Sequence, residues 1–307
     1  MAKLRVGIIG TGFGTVVQAP GFMLHPEWEV VALSGVSRPG RAREQAATLG
    51  IASAYDSYLD MLDQERLDLV SVVSSPDKHL AMTLAALERG IAVLCEKPMA
   101  MDLTEARTMV QAAEQRHLLG AIDHEFRYIP ARTEFKRLIA EGYLGDLLHF
   151  TMTYSIGGGD RHASRPMGWL WRAENGGGML GAIGSHMIDQ ARWCLGEIRS
   201  VQGLLTTHAG IRSGEPVTAD DAFAFLARMD GNATGVVQFV TAGHHGFGLR
   251  LEAFGTQGTV VLHDQTLYAA RAGAPLAEVP VPARFHLPGV AFPDPIDVRT
   301  PPFTVMA

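Results

Sequence analysis

Short apolar, β-branched runs alternate with longer stretches of helical spacing through the first 122 residues. The runs Leu4 to Ile9, Val30 to Val36, Leu69 to Val73, Ile91 to Cys95 and Leu119 to Ile122 predict strands. Between them, Arg41 to Leu49 and His79 to Arg89 predict helices. In the second, Leu80, Leu84 and Leu87 share a face and Gly90 supplies a stop. A third helix is predicted over Thr104 to Arg116, opened by a capping region at Asp102. Pro20 predicts a broken entry to the first helical stretch. Strands alternating with helices in this way build a parallel, doubly wound sheet of the Rossmann type.

The pattern changes after about Asp123. A helix, Arg132 to Glu141, ends at Gly142. Strand-like runs follow: Leu147 to Ser155, Ser200 to Thr207, Ala222 to Met229, Ala233 to Thr241, Leu249 to Phe254 and Thr259 to His263. One helix, His186 to Leu195, lies among them, and Asp230-Gly231-Asn232 reads as a hairpin turn. Successive strands with few helices predict a mostly antiparallel sheet. The expectation is therefore an α/β chain in two domains: a dinucleotide-binding domain over 1–122 and an α+β substrate domain over 123–307.

Composition narrows the partners. With 32 acidic and 26 basic residues the net charge is −6, which argues against nucleic acid, whose phosphates require clustered Lys and Arg. No run is long and apolar enough to span a membrane. The opening Met1-Ala2-Lys3-Leu4-Arg5 lacks the pattern of a signal peptide, so a cytoplasmic location is expected. The two cysteines, Cys95 and Cys194, are too far apart in sequence to suggest a disulfide framework or a Cys-based zinc site. His244-His245 has no third ligand candidate, so no metal is expected.

Candidate chemistry begins at the end of the first strand. Gly10-Thr11-Gly12-Phe13-Gly14-Thr15 is glycine-rich where a tight turn and close backbone approach to a pyrophosphate are needed. The third glycine of the fingerprint falls at Thr15, with Gly14 one place early. After the second strand, Ser37, Arg38 and Arg41 stand where NAD-specific domains usually carry an acid. An arginine there accommodates a 2′-phosphate, so NADP is expected, with NAD as the alternative.

Cys95-Glu96-Lys97-Pro98 follows the fifth strand, and Gly184-Ser185-His186 opens a helix downstream. Together with the glycine loop, Ser74-Ser75-Pro76 and His79, Arg127 and Pro130, and Gly255-Thr256-Gln257-Gly258-Thr259, these closely resemble the glucose-fructose oxidoreductase / inositol dehydrogenase (Gfo/Idh/MocA) family. The resemblance covers nearly the whole chain. It implies a Rossmann domain, a second domain with a large open sheet, and hydride transfer to or from a secondary alcohol or ketone on sugars, cyclitols and similar compounds. It also implies catalytic roles for Lys97 and His186, and a cofactor site of Gly10, Thr11, Gly12, Phe13, Gly14, Ser37, Arg38, Arg41, Ser74, Ser75, Pro76, His79, Glu96 and Lys97. The residue types suit the chemistry: an imidazole takes the hydroxyl proton, and an ammonium stabilises the oxygen as it gains charge.

One departure affects mechanism. The family commonly carries an aspartate four residues before the histidine, and this chain has Ala182. Asp189, three residues beyond His186 on the same helix, is the candidate substitute. Without a carboxylate partner for the imidazole, alcohol oxidation is expected to need higher pH. A cofactor-binding sensor or regulator with altered catalysis is the alternative function. A third class uses tightly held nicotinamide for internal redox isomerisation or glycoside cleavage.

Candidate substrate groups are His124 and Arg127 just past the first domain, Asp189, and Tyr154, Arg161, Arg165, Trp169 and Arg172 on or near a glycine-rich basic loop. An open sheet exposing an apolar face predicts a homodimer or homotetramer. The closing residues Arg299 to Ala307 resemble the start of the family's final helix, cut short relative to its relatives.

Overall fold

Six parallel strands form the frame of the first unit in this computed structural model, which describes residues 2–157, 166–285 and 297–307. They are β1 (Leu4–Ile9), β2 (Trp28–Ser34), β3 (Ser53–Tyr55), β4 (Leu69–Val72), β5 (Ala92–Glu96) and β6 (Gly120–Asp123), in the order β3-β2-β1-β4-β5-β6. The strand order reverses between β1 and β4, the switch point at which doubly wound sheets bind dinucleotides. Continuous burial of Ile8, Ile9, Val31 to Leu33, Val70 and Val72 reflects a sheet covered on both faces.

The covering helices follow the predicted spacing. They are α1 (Ala19–Leu24), α2 (Arg41–Leu49), α3 (Tyr58–Gln64), α4 (His79–Glu88) and α5 (Leu103–Arg116). Asp102 caps α5 by accepting the Glu105 N–H at 2.9 Å. The first helical stretch is broken as Pro20 predicted: a single wide π-type turn, Gly14–Gln18, precedes α1. Two elements are additional to those expected, the three-residue β3 and the short α3.

Unit 2 begins at Phe126. Helix α6 (Pro130–Ala140) and helix α7 (Ser185–Leu195) cover one face of an eight-stranded sheet. The strands are β7 (Leu147–Ser155), β8 (Ile198–Thr206), a separate hairpin β9 (Ile211–Arg212) and β10 (Glu215–Pro216), then β11 (Ala222–Met229), β12 (Thr234–Val240), β13 (Gly248–Gly255), β14 (Gly258–His263), β15 (Thr266–Arg271) and β16 (Ala277–Val279). The sheet order is β16-β15-β14-β13-β7-β12-β11-β8, antiparallel except for the β7–β12 pair. Asp230-Gly231-Asn232 joins β11 to β12 as expected, with Gly231 and Asn232 both at positive φ. The core-facing side buries Phe150, Met152, Val237 and Leu251, whereas Leu204 and Leu226, on the opposite face, are exposed at 76% and 57%.

The closing residues depart from the sequence-based domain division. Helix α8 (Thr300–Met306) belongs with the first unit rather than the second. Phe303 is fully buried edge-on against Phe22, 5.0 Å between ring centroids, and a side chain at Gly21 would collide with it. Burial of one such ring is worth about 2–3 kcal/mol, enough to hold a short helix in place. The Trp28 indole N–H donates to the Ala307 carbonyl at 2.9 Å.

Candidate functional site

In the first unit, the candidate residues gather at the carboxyl ends of β1, β2, β4, β5 and β6. Gly10, at φ 134°, makes the turn out of β1, and a Cβ there would collide with the Val73 carbonyl. A Cβ on Gly14 would meet Ile8 Cγ2 at 2.9 Å, so this glycine lets the helical turn close on the strand. Gly12 has no atom within 4 Å of where its Cβ would stand. That open approach to the backbone fits the diphosphate of a dinucleotide. Thr15, in place of the third glycine, points its hydroxyl back to the Thr11 and Gly12 carbonyls, each at 3.1 Å. Its side chain braces the turn from within.

Ser37 and Arg38 are exposed past the end of β2, and Arg41 starts α2. Asp56, beyond β3, accepts the Gly40 N–H at 2.7 Å and fixes that corner. Past β4, Lys78 donates to Ser75 Oγ at 2.9 Å, and Pro76 opens a short turn. Ser74 Oγ donates to the Ser75 carbonyl at 3.2 Å. His79 is fully buried with its ring nitrogens facing the Pro98 and Ser74 carbonyls at 3.0 and 3.1 Å. Burial favours the neutral ring more than these carbonyls favour the charged one, so its pKa is lowered. His79 therefore pins the two loops that carry Ser74 and Lys97–Pro98, an indirect contribution to the site.

Glu96 ends β5 buried, and its Oε2 accepts the Lys97 backbone N–H at 3.1 Å. Lys97 itself is half-buried, and the Lys97–Pro98 peptide is cis. His124 follows β6, its N–H donating to the Ile122 carbonyl at 2.9 Å. Arg299 reaches back from the closing segment, its guanidinium 4.7 Å over the Phe13 ring, while its N–H groups pair with Asp297 at 2.6 and 2.7 Å.

The second unit places His186 in the first turn of α7, 3% exposed. Its imidazole stacks on Phe126, centroids 3.9 Å apart and planes 18° from parallel. The buried Arg132 guanidinium lies 4.6 Å over the same Phe126 ring. Asp189, on the same helix, is engaged by Arg127. Its two carboxylate oxygens accept from Arg127 at 2.8 and 2.5 Å, a bidentate pair. The structure thus joins Arg127 and Asp189, both named as substrate groups, into one unit beside Trp193, whose ring is 5.7 Å from the guanidinium.

The remaining candidates are dispersed. Tyr154 lies on β7, edge-on to Phe239 at 5.6 Å, its pKa raised chiefly by burial. Trp169 is 40% exposed in a short turn, and Arg172 pairs with Glu215 on the surface. Arg161 and Arg165 lie outside the described residues. Buried thiols are held neutral: burial pushes Cys194 up to about 12 and Cys95 higher still. Sequence reasoning missed Phe126, Arg132 and Gln18. Gln18 carried a signal, as a polar residue amid the apolar Val16, Val17 and Ala19.

Comparison with known proteins matches both halves of the chain to one family. Residues 4–124 match the family model described as oxidoreductase family, NAD-binding Rossmann fold, and residues 133–261 match the GFO/IDH/MocA C-terminal domain. The chain is 31% identical over 283 residues to inositol 2-dehydrogenase 2 of Saccharopolyspora erythraea, covering 89% of this chain and 78% of that protein. It is 28% identical to levoglucosan dehydrogenase of Pseudarthrobacter phenanthrenivorans, over 86% of this chain and 74% of that one. A solved structure of levoglucosan dehydrogenase in complex with NADH and L-sorbose superposes with a TM-score of 0.85 at 26% identity, covering 91% of this chain and 80% of the other. With both halves matched in order, and a relative this similar across most of its length, the chain belongs to the Gfo/Idh/MocA family of NAD(P)-dependent oxidoreductases.

Proposed function

We propose that this chain is a dehydrogenase that moves a hydride between a nicotinamide cofactor and a secondary alcohol or ketone of a sugar, cyclitol or related polyol. The observation that carries the reading is the glycine turn seated on β1 at the switch point of a Rossmann sheet, with Lys97 leaving β5 at the same end. A bound nicotinamide supplies the hydride acceptor or donor. Lys97 stabilises the substrate oxygen as charge develops on it, and His186 exchanges the hydroxyl proton. Arg127, held rigid by Asp189, presents remaining guanidinium surface to substrate hydroxyls. Turnover of a panel of sugars, polyols and sugar acids with NAD and NADP tests the proposal. Binding of cofactor without oxidation of any panel member favours the second reading, a sensor with altered catalysis. The engagement of Asp189 by Arg127, and Ala182 in the position of the relatives' acid, are what support that reading.

NADP is the proposed cofactor, because Ser37 and the exposed Arg38 occupy the acidic slot. Calorimetric titration is expected to show tighter NADPH than NADH binding, and Ser37→Asp with Arg38→Ala to reverse the order. Equal or tighter NADH binding by the wild type sinks the assignment.

A homo-oligomer is proposed from the open sheet face of unit 2. Leu204 and Leu226 lie exposed on the face of β8 and β11 turned away from the buried Phe223 and Ala227, and an exposed apolar patch of this kind is a surface that a second copy covers. Light scattering at micromolar concentration should report a dimer or tetramer, and Leu204→Lys with Leu226→Lys should yield a smaller species. A wild-type monomer refutes this.

A further inference from the structure

Behind Lys97 the first unit buries carboxyl groups that the proposed reaction leaves unused. Glu96 and Asp123 are register partners at the ends of the adjacent parallel strands β5 and β6. They are 6% and 0% exposed. One amide bridges them: Gln18 Nε2 donates to Glu96 Oε1 at 2.8 Å and to Asp123 Oδ2 at 2.7 Å. The Ser71 hydroxyl donates to Gln18 Oε1, which fixes which end of the amide faces the acids. Glu96 Oε2 in turn holds the Lys97 backbone N–H. A continuous chain, Ser71 to Gln18 to Glu96, therefore moors the backbone of Lys97 to the middle of the sheet.

Accepting from the same amide nitrogen, the Asp123 and Glu96 carboxyls stand side by side at the two strand ends. Two carboxylates cannot bond to each other without a proton, and like charges directly opposite one another in a sheet repel. Burial multiplies that repulsion. The surroundings do little to offset it. Ser71 and Gln18 are neutral, and the Cys95 thiol is held neutral by burial. Glu125, 1% exposed, is a third acid, pushed up to about 7 chiefly by burial. The cations within electrostatic reach are Lys97, felt by Asp123 and Glu125, and Arg299, felt by Glu96 and Glu125 and already paired with Asp297. Burial, and then the charges of Glu96 and Glu125, raise the pKa of Asp123 well above the ordinary carboxyl value.

We propose that Asp123 is a positioning residue for Lys97: one proton shared between the Asp123 and Glu96 carboxyls ties the two strand ends together and keeps the mooring of the Lys97 backbone intact. Loss of that proton sets two adjacent carboxylates against each other and loosens the Glu96 contact with the Lys97 N–H. The consequence for turnover rests on Lys97 serving the reaction, whereas the shared proton does not, so the primary test needs no substrate.

In the full chain labelled with 13C at Asp and Glu carboxyls and with 15N, one carboxyl carbon besides that of Glu125 should titrate well above the ordinary carboxyl range, and the Lys97 amide resonance should shift with the same midpoint. Both effects should vanish in the isosteric Asp123→Asn variant and survive in Glu125→Gln, which separates Asp123 from the neighbouring acid that titrates near 7. Stability gives an independent reading. A carboxyl whose folded pKa is raised binds more protons folded than unfolded, so its contribution falls as pH rises from the unfolded value toward the folded one. Asp123→Asn should therefore gain Tm relative to the wild type at about pH 8 and not at about pH 4. Carboxyl carbons that, apart from that of Glu125, all titrate in the ordinary carboxyl range overturn the proposal, as does a Lys97 amide that ignores the Asp123 titration. If Lys97→Ala turns over normally, the role of Lys97 in the reaction fails while the shared proton stands.

Discussion

His186→Ala and Lys97→Ala should each lower kcat by roughly 100-fold or more, about 2.7 kcal/mol of barrier, while cofactor affinity changes far less. The argument for His186 starts from how its ring is held. The imidazole stacks on Phe126 at 3.9 Å, and Arg132 lies on the same phenyl ring. A stack of this kind contributes about 0.5–1.5 kcal/mol and fixes the ring plane. It helps to orient His186, which has Ala182 four residues earlier in the chain. A carboxylate beside the imidazole favours its protonated form, so adding one near His186 should lower the pH that alcohol oxidation needs. Ala182→Asp should then move the pH optimum downward. Profiles of kcat against pH for the wild type and the three variants, recorded on any substrate found in the panel, decide the matter. Full activity in His186→Ala would reassign proton transfer to Lys97 or to a tyrosine such as the partly exposed Tyr128.

The elements that the sequence discloses are those in which pattern and packing agree. Leu4–Ile9, Arg41–Leu49, Leu147–Ser155 and Ala222–Met229 begin and end where periodicity and flanking turn residues place them. What escaped was short or weakly marked. Three-residue β3 is below the length at which alternation can be read, and β15 contains two adjacent alanines with little strand propensity. Its hairpin with β14 turns at Asp264, a non-glycine residue at φ 51°, instead of the Asn-Gly signal that marks such turns.

The site divides in the same way. Lys97, His186 and the glycine loop sit in contiguous motifs and are legible. The mooring of Lys97 is not, because Gln18 meets Ser71, Glu96 and Asp123 across 53, 78 and 105 residues of sequence. Reading β5 as ending at Cys95 and β6 at Ile122, each one residue early, also hid the pairing of Glu96 with Asp123. Asp189 was judged by helix spacing, which brings it near His186 but is silent about the arginine arriving from residue 127.

Gly10→Ala and Gly12→Ala, two residues apart, should fail in different ways. At Gly10 the backbone sits at φ 134°, and a methyl group would strike the Val73 carbonyl of the neighbouring chain segment. Strain and collision there act on the folded state itself, so the variant should lose about 3 kcal/mol or more and lose cofactor binding with it. Gly12 is not at positive φ and has nothing within 4 Å of its would-be Cβ. A methyl group there costs the fold little, within about 0.5 kcal/mol, a shift in Tm of roughly 1–2 °C. If this is the seat of the pyrophosphate, the same methyl stands between the backbone and the ligand and should weaken cofactor binding by about 100-fold or more. Thermal unfolding and calorimetric titration of both variants separate the two effects. A Gly12→Ala protein that melts normally and binds cofactor as the wild type does would leave the fold standing and remove the pyrophosphate from this turn. A Gly10→Ala protein with wild-type Tm would show that β1 and β4 can part at Val73 to admit a side chain, and the close approach now assigned to the first glycine would lose its structural reason.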